Sequence, residues 1–77
     1  MSSKNNICDL LETVIANTSE CSDIIYICYD ERNDCAEVMF SGEKSITIAT
    51  GKSEIDMVYD IVKVCMNHAV VKGKTSL

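Results

Sequence analysis

Residues 53–72 constrain this chain most, because they read as a helix that is apolar around most of its circumference. At about 100° per residue, Asp56, Asp60, Lys63 and Asn67 fall within one narrow arc, and nearly everything else is apolar. Ile55, Val58, Tyr59, Val62, Cys65, Met66, Ala69 and Val70 make one broad face. Met57, Ile61, Val64, His68 and Val71 make a second stripe with heptad-like spacing. A helix of this kind has to be covered on two sides. In a chain of 77 residues one cover is the rest of the fold and the other is a second molecule. The pattern therefore predicts the broad face against the core. It predicts Met57, Ile61, Val64, His68 and Val71 as a homodimer interface.

The remainder reads as one helix and three strands. Ile7, Leu10, Leu11, Val14, Ile15 and Thr18 recur at three-four spacing, which predicts a helix over 6–18 capped by Asn6, with Asp9 three residues on. Its polar face holds Asp9, Glu12, Thr13 and Asn17, so it packs on one side only. Residues 23–30 are β-branched and aromatic without alternation, which predicts a strand buried on both faces and central in its sheet. Residues 30–34 are turn chemistry. Residues 35–41 and 45–50 alternate, the second with Ile46 and Ile48 inward, and Gly42-Glu43-Lys44 joins them. Two short loops in succession imply an antiparallel meander.

Ser53 with Asp56 is a second capping signal, and Gly73 marks the expected end of the last helix. The fold class is α+β: two layers, α-β-β-β-α, a three-stranded antiparallel meander with both helices on one face. No linker or repeat divides residues 1–77, so one small domain is expected, frayed at 1–4 and 74–77.

Charge is uneven. Residues 1–43 carry nine carboxylates against two cations, and residues 44–77 three against five, for a net −5. One Arg and no basic stripe leave no footprint for direct nucleic-acid binding. An acidic half favours a protein partner with a basic surface instead. Asp30, Glu31, Asp34 and Glu37, around the first turn, are the candidate contact residues. That turn has no Gly, unlike a calcium loop.

Catalytic and cofactor motifs do not survive inspection. Gly51-Lys52-Ser53 ends like a phosphate-binding loop, but Ile46 stands where the earlier Gly is needed. His68 follows Cys65 by three residues, yet Cys65 faces the apolar side and makes a poor nucleophile. Five Cys without a Cys-x-x-Cys pair predict neither a zinc site nor a disulfide framework. They read as reduced thiols, with Cys8 and Cys35 the most exposed. No membrane span and no signal peptide are legible, so the cytoplasm is the expected compartment.

The α-β-β-β-α order resembles that of double-stranded-RNA-binding domains. Ser53, Glu54 and Asp56 stand where those domains carry lysines, so that activity is not expected here. Order, size and acidity also resemble some phage-encoded inhibitors of CRISPR nucleases, whose acidic surfaces imitate nucleic acid. The resemblance implies a small non-enzymatic inhibitor. The alternative is an assembly subunit acting through its last helix.

Overall fold

The computed structural model describes residues 3–51 and 53–75. Helix α1 (Ser3–Ala16) leads into strand β1 (Ile24–Asp30), then β2 (Cys35–Phe40), β3 (Ile46–Ala49) and helix α2 (Glu54–Thr75). The sheet is an antiparallel meander in the order β1-β2-β3, as the two short turns require. Asp30 Oδ1 shapes the first turn by accepting from the backbone N–H of Arg32 at 3.0 Å and of Asn33 at 3.4 Å. Asp34 closes that turn with φ 49°, a left-handed conformation that Asp tolerates better than most residues. In the second turn Gly42 takes φ 77° without a Cβ to strain.

One face of the sheet holds the core. Ile27, Ala36, Val38 and Phe40 point inward and pack with Cys8 and Ile15 of α1 and Met57, Ile61 and Cys65 of α2. Both helices thus feed a single core. They run side by side in the same direction. Ser3 donates to Glu54 Oε2 at 2.8 Å at their starts, and Ile15 and Thr18 share a groove with Val62 and Val70 further along. The other sheet face, with Cys28 and Thr47, is open.

Several boundaries differ from the sequence expectation. Helix α1 begins at Ser3, which puts Asn6 inside its first turns rather than at its cap. Ser3 and Lys4 belong to the helix. Lys4 Nζ donates to Thr50 O at 2.7 Å and to Asp34 Oδ1 at 3.1 Å. Met1, Ser2, Ser76 and Leu77 lie outside the described residues. Helix α2 runs past Gly73 to Thr75. Ser53 caps it as expected, accepting the Asp56 N–H at 3.3 Å.

Strand β1 is an edge, not the centre. It lacks alternation because Ile24 pairs with Phe40 and Tyr26 with Met39, leaving Ile25 as a bulge that is half exposed. Its outer edge is met by α1: Glu12 Oε1 accepts the Ile27 N–H at 2.9 Å. Ile46 is exposed, and Ile48 is only half buried; Thr50 takes the buried place at the end of that strand.

Candidate functional site

Helix α2 uses the opposite face from the one its breadth predicts. Met57 and Ile61, expected at an interface, are 1% and 0% exposed within the chain's own core. They have no surface to offer a second molecule. Val64 is half buried against the same core, and Val71 alone of the stripe's aliphatic members is open. The broad face instead looks outward: Ile55 is 80% exposed, Tyr59 62%, Met66 64% and Val70 56%. Only Cys65 of that face is fully buried, because it lies where α2 leans on the segment after α1.

The open residues belong to a defined stripe. Exposed Ile55, Tyr59 and Met66, with half-buried Val62 and Ala69, repeat at steps of four, three, four and three residues, which is heptad spacing. Beside this stripe lies an apolar groove of about 370 Å³, lined by Ile15, Thr18 and Cys21 on one bank and Val62, Met66 and Val70 on the other. Leu10 and Val14 of α1 are also more than half exposed. The polar border of the stripe carries Asp56 and Lys63, and Lys63 Nζ sits 5.5 Å from the Tyr59 ring centre.

His68 belongs to the fold instead of the interface. Its ring stacks on Phe40 with centroids 3.6 Å apart and planes 8° from parallel. Nε2 lies 2.9 Å from Asp23 Oδ2, and Nδ1 lies 3.1 Å from Glu43 Oε2. The ring thus presents a nitrogen to each of two carboxylates. Asp23 Oδ1 is buried and faces Lys72 Nζ at 3.5 Å. Burial pushes the Asp23 carboxyl up, but the His68 hydrogen bond, a backbone hydrogen bond and the His68 and Lys72 charges outweigh it. The net effect holds Asp23 below its ordinary value. Phe40, Asp23 and Glu43 come from a strand and two turns far from His68 in sequence, so no local pattern could have revealed the cluster.

The four carboxylates expected to share one acidic surface are spread over three places. Asp30 and Glu31 sit at the tip of the first turn, Asp30 occupied with the turn's own N–H groups and Glu31 exposed. Glu37 points from the open sheet face and accepts the Tyr26 hydroxyl at 2.6 Å. Asp34 turns back into the fold. Its Oδ1 accepts from the Tyr29 hydroxyl at 2.5 Å, from Thr50 Oγ1 at 3.0 Å and from Lys4 Nζ at 3.1 Å. These bonds hold the Asp34 carboxyl below its ordinary value, and the Tyr29 hydroxyl rises to about 12.

The cysteines also sort differently from the expectation. Cys8 is fully buried and Cys35 half buried, whereas Cys28 on the open sheet face is exposed. Cys8 lies well inside α1, not at its end, because the helix starts earlier than Asn6. Burial pushes the Cys8 and Cys65 thiols up to about 11, which keeps them protonated and unreactive. All five thiols are free.

Among the described residues no cluster of three or more His, Cys, Asp or Glu is arranged to hold a metal ion. None of the described helices is long and apolar enough to cross a membrane. Lys52, of the Gly51-Lys52-Ser53 segment, lies outside the described residues. Comparison with protein-family models, curated protein sequences and solved structures finds no match.

Proposed function

We propose that this chain is a small non-enzymatic interaction protein that works through the outer face of α2 and the adjoining flank of α1. One observation carries the reading. A face with heptad spacing, formed by Ile55, Tyr59, Val62 and Met66, stays largely open after the fold has filled its core from the opposite side of the same helix. Soluble monomers seldom expose a contiguous apolar patch of this kind unless it serves an interaction. The apolar groove beside it supports the same role, since it can seat a side chain from whatever covers the helix.

The acidic front half fits a supporting part: it keeps a chain with an adhesive helix dispersed. An inhibitor that imitates nucleic acid needs carboxylates presented together. The ties of Asp30 to its own turn, and of Asp34 to Tyr29, Thr50 and Lys4, favour the apolar surface over that rival.

Site-directed photocrosslinking in the native host separates the two. A benzophenone amino acid is placed at Tyr59, Met66 or Glu31 of the full chain. Covalent adducts from positions 59 and 66, with none from 31, support the apolar surface. Adducts from 31 alone transfer the role to the acidic turn, and no adducts at any position contradict an interaction function.

A further inference from the structure

We infer that the molecule covering the outer face of α2 is a second copy of this chain, paired with α2 antiparallel to α2. The inference rests on the reading of that face as an interaction surface and names its partner. The spacing of the stripe is the first argument. Setting Ile55 of one copy against Met66 of the other also sets Tyr59 against Val62, and the arrangement repeats on the far side of a two-fold axis near Asp60 and Ile61. A stripe that matches its own reverse is what a two-fold interface between identical helices demands.

Charge is the second argument. Asp56 and Lys63 border the stripe on the same side, seven residues apart. In the antiparallel register each Asp56 faces Lys63 of the other copy, so two opposite-charge pairs flank the contact. Parallel helices put this flank of the two copies on opposite sides of the seam, so Asp56 of one copy does not meet Lys63 of the other. The helix dipoles also oppose one another only when the helices are antiparallel. A sulfur-rich contact suits the seam, because Met66 adapts to the Ile55 surface and fills gaps between helices.

Area is the third. The open faces of Leu10, Val14, Ile55, Tyr59, Met66 and Val70 are on the order of 100 Å² each, or about 600 Å² per copy, against ~800 Å² per partner in a standard interface. Two such faces together exceed the roughly 1,000 Å² that a specific interface has to clear.

The test is sedimentation equilibrium on the full chain and on two charge variants. Wild type is expected to pass from 8.5 kDa to twice that mass as concentration rises. Asp56→Lys and Lys63→Asp each replace two attractive pairs with two repulsive ones and should weaken the dimer about tenfold. Mixing the two variants restores opposite charges at both ends, so the mixture should dimerise as wild type does. That intermolecular rescue is the decisive result. A wild type that stays at 8.5 kDa up to millimolar concentration overturns the second copy, while photocrosslinks from position 59 to a heavier protein would leave the interaction reading standing. A dimer indifferent to either variant, or one not rescued by mixing, overturns the antiparallel register.

Discussion

His68 lies flat against Phe40, 3.6 Å between ring centres, and in that position it reaches Asp23 with one nitrogen and Glu43 with the other. This contact pins the second half of α2 to the end of β2, to the turn that follows it and to the segment just before β1. It fixes which face of α2 enters the core. With His68 held there, Met57, Ile61 and Cys65 line up on the same side one and two turns apart, and the Tyr59–Met66 face must look away.

Removing the ring should therefore loosen the docking of α2. His68→Leu keeps an apolar contact with Phe40 but removes the imidazole partner from Oδ2 of Asp23, a largely buried carboxylate. The expected loss is about 2 kcal/mol, read as a drop in urea midpoint with unchanged m-value. His68→Leu in an Asp23→Asn background should cost less than the two single changes added together, since the orphaned charge is gone.

Acid should destabilise the fold through several carboxylates, Asp23 and Asp34 among them. Asp23 and Asp34 are both held below the ordinary aspartate value of 3.8 in the folded chain. A carboxyl with a depressed folded value contributes stability that is fully present above its unfolded value and is lost as pH falls through the folded one. Thermal midpoints should accordingly be level down to about pH 5 and decline below about pH 4. Asp34→Asn should lower the plateau and flatten the decline, because part of the acid-sensitive contribution has been removed at every pH.

The thiols should react in an order set by burial. Iodoacetamide on the folded chain should modify Cys28 first, with Cys8, Cys21 and Cys65 protected until urea unfolds the protein. Mass spectrometry of peptides after timed labelling gives the order directly. Labelling of Cys8 at the rate of Cys28 would place α1 elsewhere.

Glu12 guards an exposed edge. Its carboxylate accepts the Ile27 N–H on the outer side of β1, where an unpaired strand invites pairing with another chain. Glu12→Ala should cost about 1 kcal/mol and raise the rate of aggregation on heating, measured by light scattering. Glu12→Gln retains an acceptor and should recover most of the loss.

The order of elements was legible because each has its own period: three-four spacing from Ile7 to Thr18, alternation from Cys35 to Ser41, and a long apolar helix after Ser53. The face of α2 that packs was not legible, for a physical reason. When more than half of a helix is apolar, as here, hydrophobicity no longer distinguishes one stripe from another, and the choice falls to shape and to polar anchors such as His68. Breadth favoured the Ile55–Tyr59–Met66 side, but a three-stranded sheet accommodates a narrow stripe, and Met57, Ile61 and Cys65 suffice to fill it. Strand β1 misled for a related reason. Its unbroken run of Ile and Tyr suggested burial on both sides, while the Ile25 bulge and the approach of Glu12 satisfy an edge strand with the same residues. One side of α2 is still left open after this exchange of faces.

Methionine oxidation tests the central claim most directly, because α2 carries a reporter on each face: Met57 at 1% exposure and Met66 at 64%. Purified full chain is pulsed with hydroxyl radicals at low micromolar and at near-millimolar concentration, and sulfoxide at each residue is quantified by mass spectrometry. The account predicts rapid oxidation of Met66 and little of Met57 when the chain is dilute, followed by selective protection of Met66 as concentration rises. Met57 oxidising as fast as Met66, or Met66 reacting equally at both concentrations, would contradict it.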